Sequence, residues 1–152
     1  MKNKDYRNVL NKTPSELLKL QKSNGRQLSV VGDVVYIIFN ALGYKPKMFY
    51  DICPYFEISK SWGGLSLGWF FICCKDASEK TKCHEVGHIL QNANIGGWQM
   101  IWLSLISVVR YWYYTICNID VSTYDSWWFE GQATELGTKY VNLRKTNEKG
   151  VR

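Results

Sequence analysis

Cys83-His84-Glu85-Val86-Gly87-His88 holds both histidines of the chain, set in an H-E-x-x-H frame. On an α-helix, positions i and i+4 share a face, so His84 and His88 can offer ring nitrogens to one metal ion. Glu85 then stands beside the remaining coordination position. Two neutral imidazoles with a third protein ligand suit Zn²⁺, which lowers the pKa of a bound water to about 7. A neighbouring glutamate is placed to take its proton. A solvated helix face carrying two histidines and an acid by coincidence is the bland alternative, and a third ligand decides between the two.

The acids downstream of His88 are Asp120, Asp125, Glu130, Glu135 and Glu148. A final helix capped by Asp125 or Ser126 and running to about Asn142 carries Glu130, Ala133, Thr134, Gly137, Tyr140 and Val141 in one stripe at helical spacing. Small residues in that stripe allow close packing against the metal helix, which brings the Glu130 carboxylate to the ion. Glu135 lies about 140° around the helix from Glu130. Geometry therefore selects Glu130.

Upstream, Asp76-Ala77-Ser78-Glu79 reads as an acidic variant of the capping box opening the metal helix. Before it, Leu65 to Cys74 begins with alternation and ends as an apolar aromatic run, the best strand in the chain. The part from Leu65 to Ile72 is either purely structural or an edge to which an extended substrate adds. Leu65, Ser66, Leu67 and Gly68 are the substrate-strand candidates. Residues 44 to 60, with Pro46 and Pro54, read as an irregular connection.

Residues 1 to 12 read as a loose basic lead-in, 13 to 142 as one domain, and 143 to 152 as a basic tail. Thr13-Pro14-Ser15-Glu16 caps a short helix reaching about Ser23, stopped by Asn24-Gly25. Leu28 to Leu42 predicts a core helix broken near Gly43, with a strand as the alternative its β-branched residues allow. The apolar stretch Met100 to Val109 is followed by Arg110 and Tyr111-Trp112-Tyr113-Tyr114, and is shorter than the about 20 residues of a membrane span. A core helix is favoured there. The aromatic residues at both ends keep weak membrane-surface association through 98 to 114 as the alternative.

With 152 residues, 46% of them hydrophobic and 21% charged, the chain has the composition of a globular domain that needs no disulfide staples. Its net charge of +6 lies mostly at the ends and comes with no base-reading motif, so no nucleic-acid partner is expected. Five cysteines, an odd number without C-x-x-C spacing, favour free thiols and a reducing compartment such as the cytoplasm. No secretory signal stands in the first 25 residues. A toxin-type domain carried by a delivery protein is the other context, with the same chemistry.

His84-Glu85-Val86-Gly87-His88-Ile89-Leu90-Gln91 and Trp128-Phe129-Glu130-Gly131-Gln132-Ala133-Thr134-Glu135-Leu136-Gly137 together resemble the gluzincin metallopeptidases, particularly compact single-domain ones of minigluzincin type. The chain also resembles bacterial domains in which a G-G-x-S-L-G strand precedes the motif, as Gly63 to Gly68 does. The resemblance covers residues 61 to 141. It implies an α+β, zincin-like fold, mostly helical with a small sheet next to the metal-binding helix. It implies zinc held by His84, His88 and Glu130, with Glu85 as general base and acid acting on a peptide or protein substrate. Where some gluzincins place an aspartate against a ligand histidine, this chain has Thr134, a neutral group that orients more weakly. Tyr113, Tyr114, Tyr124 and Tyr140 are unranked candidates for steadying an oxyanion. A zinc-stabilised binding or membrane-surface module whose peptidase activity has lapsed is the alternative function.

Overall fold

A computed structural model describes residues 6–59, 63–119 and 128–149. The chain is α+β, mostly helical with a small four-stranded mixed sheet. Helices α1 (Arg7–Leu10), α2 (Pro14–Ser23) and α3 (Arg26–Ala41) come first. Strands β1 (Lys47–Phe49), β2 (Cys53–Ile58), β3 (Gly64–Leu67) and β4 (Phe70–Cys74) follow, then α4 (Glu79–Ile95), α5 (Gly97–Ile116) and α6 (Trp128–Lys149).

Local chemistry sets the ends of several helices. Thr13 Oγ1 accepts from Glu16 N at 3.3 Å while Glu16 Oε2 accepts from Thr13 N at 2.8 Å, a reciprocal capping box with Pro14 behind it. The α4 cap is Ser78, whose hydroxyl accepts from Thr81 N at 3.1 Å. Ser78 rather than the expected Asp76 takes the cap because the helix begins at Glu79, after a turn in which Ala77 N donates to Cys74 O. Residues 7–10, read as a loose lead-in, form a helical turn that buries Val9 and Leu10. At the other end α6 continues past Asn142 to Lys149. The expected caps Asp125 and Ser126 lie outside the described residues, as do Asp120, Tyr124, Ser61 and Trp62.

The sheet order is β1-β2-β4-β3, with β2 and β4 parallel in the middle and antiparallel pairs on either side. The predicted single strand from Leu65 to Cys74 is a hairpin. Gly68, at φ +74°, turns the chain so that Leu67 faces Phe70. Residues 44–60, read as irregular, supply β1 and β2. Pro54 is tolerated because the β2–β4 ladder begins only at Tyr55 opposite Phe71.

Strand alternation then sorts side chains between two layers. Phe56, Phe70 and Ile72 pack towards α3, against Tyr36 and Phe39, whereas Tyr55, Phe71 and Cys73 pack towards α4. In β3 the same alternation turns Gly64 and Ser66 to the α4 side, since Ser66 stands opposite Phe71. Helix α4 is the centre of the molecule. Val86, Ile89 and Leu90 are each 1% exposed or less, and burying side chains of this kind contributes about 1.5–3 kcal/mol apiece. That outweighs any surface charge pair.

Two helices depart from expectation. α3 buries only Leu28, Ser29 and Gly32 fully, and α5 only Gly97, Met100 and Ser107. Both were read as core helices, and both turn apolar faces outward.

Candidate metal centre

Helix α4 carries His84 and His88 one turn apart on the side that meets α6. The two helices approach through their smallest residues: a Cβ on Gly87 would stand 1.8 Å from Ala133 O, and one on Gly137 1.7 Å from Cys83 O. Only backbone fits in that seam. The predicted α6 stripe is the one used, with Glu130, Ala133, Gly137, Tyr140 and Val141 all buried and Glu135 exposed.

This contact sets the Glu130 carboxylate over both imidazoles. His84 Nε2 and His88 Nε2 are 3.0 Å apart, and Glu130 Oε2 is 3.2 Å from the first and 3.1 Å from the second. Among the described residues these three form the group whose ligand atoms converge as a metal site requires. Four-coordinate zinc with bonds of about 2.0–2.1 Å keeps its ligand atoms about 3.3 Å apart. The triangle lies just inside that spacing.

Hydrogen bonds behind the triangle fix what its corners present. Gln91 Nε2 donates to Phe129 O at 2.9 Å and to Gln132 Oε1 at 3.1 Å, so Gln91 Oε1 is the atom facing His88 Nδ1 at 2.9 Å. An amide oxygen only accepts, and His88 Nδ1 therefore carries the proton. Thr134 Oγ1 donates to Glu130 O at 3.3 Å and accepts from His84 Nδ1 at 2.8 Å. In the neutral form that a metal ligand needs, each ring then turns its Nε2 lone pair towards Glu130 Oε2, itself an acceptor.

Three lone pairs converging within hydrogen-bond distance repel unless a positive charge lies among them. One proton can serve a single edge of the triangle. A divalent cation serves all three corners, and the donor set of two imidazoles and a carboxylate fits zinc. Burial pushes the Glu130 carboxyl up, but its neighbours His84, His88 and Ser107 outweigh that and hold the group well below the usual carboxylate range. Glu130 is thus an anion at 2% exposure, bonded from the other side by Ser107 Oγ at 2.5 Å.

Glu85, 3% exposed, turns its carboxyl to β3. Ser66 Oγ lies 2.7 Å from both Glu85 Oε2 and Glu85 O. Gly64 leaves the space the carboxyl occupies: a Cβ there would lie 2.4 Å from Glu85 Oε1. All of these groups line one cavity of about 650 Å³, whose far wall is α5 with Met100, Ser104, Ser107, Val108, Tyr111 and Trp112.

Of the substrate-strand candidates, Leu65 and Ser66 line the cavity. Leu67 packs into the core and Gly68 lies against Ser29, so neither reaches it. The tyrosine candidates among the described residues, Tyr113, Tyr114 and Tyr140, also fall away from the cavity. Tyr140 is buried with its hydroxyl donating to Lys12 O at 2.9 Å, and Tyr114 accepts from Arg110 at 2.6 Å. Tyr113 points out, whereas Tyr111, never singled out, lines the wall. Sequence reasoning also missed Gln91 and Ser107, and the bond of Ser66, a substrate-strand candidate, to Glu85. Gln91 was visible as a polar residue one turn after His88, and Ser107 as a polar break within an apolar helix.

Comparison with known protein families, curated proteins and solved structures found no match to this chain.

Proposed function

We propose that the chain is a zinc-dependent metallopeptidase of compact gluzincin type, with a zincin-like fold. The observation carrying this reading is the convergence of three lone pairs from His84, His88 and Glu130 in the cavity that also holds Glu85. His84, His88 and Glu130 would hold the ion. When bound, zinc lowers the pKa of water at the site towards about 7 and polarises a substrate carbonyl.

The chain's own groups do the proton work. Glu85 takes a proton from the attacking water on its carboxylate and returns it to the leaving amine. Ser66 steadies the Oε2 atom by its hydroxyl, which leaves Oε1, beside Gly64, for transfer. β3 is the last strand of its sheet, with β4 on one side. Its other edge, at Gly64 and Leu65, supports an extended peptide lying along it as an added strand. The apolar α5 wall gives such a peptide a surface for bulky side chains.

The test joins metal content with turnover. The parent is expected to carry one zinc per chain and to cleave an unfolded protein substrate. Glu85→Gln should retain the zinc and lose about 10²–10⁴-fold in turnover, the usual contribution of a positioned general base. Zinc without turnover in the parent, across peptide substrates, would replace the peptidase reading by that of a zinc-stabilised binding module. Thr134→Val should weaken zinc binding by about 10–100-fold, measured by competition with a chelator, because His84 loses the partner that fixes its ring.

A further inference from the structure

α5 is amphipathic in the reverse of the usual sense. Its serines Ser104 and Ser107 face the cavity, while Trp98, Trp102, Leu105, Val109, Trp112 and Ile116 fall within an outward sector about 80° wide. Each of these six is at least 52% exposed. α3 repeats the pattern with Val30, Val34, Ile37 and Ile38, all about half exposed or more. The helices pack on each other, Gly97 lying against the backbone of Gln27 and Leu28, so the two outward apolar faces belong to adjoining helices. A patch of this kind is far more than scattered surface apolar residues.

We propose that the outer faces of α3 and α5 dock on an anionic lipid bilayer, both helices lying in the boundary between headgroups and acyl chains. Among the described residues no helix is long and apolar enough to cross a membrane, so the helices lie on the surface. Charge argues for lipid. Arg110 is the single charged residue of α5, and the single acid of α3, Asp33, accepts from Trp69 Nε1 at 2.8 Å. Exposed Lys22 in the last turn of α2 and exposed Arg26 opening α3 stand at one end of α3 and exposed Lys45 just past the other, placed to reach lipid phosphates while the valines and isoleucines enter the acyl region. Trp98, Trp102 and Trp112 supply rings with an apolar body and a polar edge, the chemistry favoured at that depth. A second copy on the same face would instead bring a second set of these cations near the first. Val108, Tyr111 and Trp112 belong to the cavity wall as well as to the exposed side of α5, so the docked cavity opens at the bilayer surface.

The experiment is sedimentation of the full chain with vesicles of phosphatidylcholine alone or mixed in equal parts with phosphatidylglycerol, at low and high salt. Binding to the mixed vesicles, weakened by salt, is expected, with quenching of tryptophan emission by brominated acyl chains. The double variant Trp102→Ser with Val109→Ser should lose about tenfold in partition, and Ile37→Ser should lose partition too, each with an unchanged circular dichroism spectrum. None of these positions lines the cavity, and the readout needs neither zinc nor turnover, so its outcome is separate from that of the peptidase reading. Three results would each overturn the proposal: no binding to either vesicle, binding that the substitutions leave intact, or a lipid-free dimer that they dissociate.

Discussion

Gly137→Val is expected to lower the melting temperature by about 10 °C or more, the equivalent of at least about 3 kcal/mol in a domain of this size. A Cβ at position 137 would stand 1.7 Å from Cys83 O and 2.8 Å from Gly87 N, both backbone atoms of α4. Neither can rotate away. The helices must separate, and overpacking that ordinarily costs about 1–3 kcal/mol becomes more expensive when backbone meets side chain across a helix seam. Gly87→Val should act alike from the other side, its Cβ falling 1.8 Å from Ala133 O. Gly63→Ala is the control, since a Cβ there meets nothing within 4 Å, and its melting temperature should stay close to the parent's. Differential scanning calorimetry of the three variants decides the matter. An unchanged transition in Gly137→Val would mean that α4 and α6 do not meet through these glycines, and the triangle of His84, His88 and Glu130 would lose its structural basis.

The same seam shows what could be read in the letters. Glu130, Ala133, Gly137 and Tyr140 announce a contact face because small residues at helical spacing have no other use on a helix of this polarity. The H-E-x-x-H frame and the Thr13 cap were legible for the same reason: each is a local pattern whose partners lie within one turn. α3 and α5 were misread because periodicity tells that a helix has one apolar side but is silent on where that side points. The inward faces could have been suspected from Ser104 and Ser107, polar residues three apart in an otherwise apolar run. β1 and β2 were hidden by Pro46, which stands just before β1, and by Pro54, whose tolerance within β2 depends on the register with β4, a long-range fact. The hairpin was hidden by Gly68, which looked like one more alternating residue until its positive φ turned the chain. Ser66 and Gly64 acquire their roles only when β3 is laid against α4, so nothing near them in sequence points to Glu85.

Glu130→Gln tests the ligand set with the least change of shape. The amide keeps the volume of the carboxylate and can still accept from Ser107 Oγ, but it brings no charge to the two Nε2 atoms. Zinc affinity should fall by more than the roughly 100-fold that loss of an outer hydrogen bond can cost, because a ligand itself is removed. Glu135→Gln, altering an exposed acid on the other side of α6, should leave it unchanged. Thermal stability gives a second reading. Zinc at 100–1,000 times its dissociation constant should stabilise the parent by about 2.7–4.1 kcal/mol, and Glu130→Gln should show little of that gain. The metal-free chains should differ in the opposite direction. In the parent, a carboxylate oxygen faces two lone pairs, whereas an amide whose oxygen accepts from Ser107 Oγ turns an N–H donor towards the two Nε2 atoms. A variant more stable than the parent without zinc and less stable with it is the pattern of a site built for an ion. Equal zinc stabilisation of parent and Glu130→Gln would remove Glu130 from the ligand set and reduce its place between the histidines to a buried ion pair.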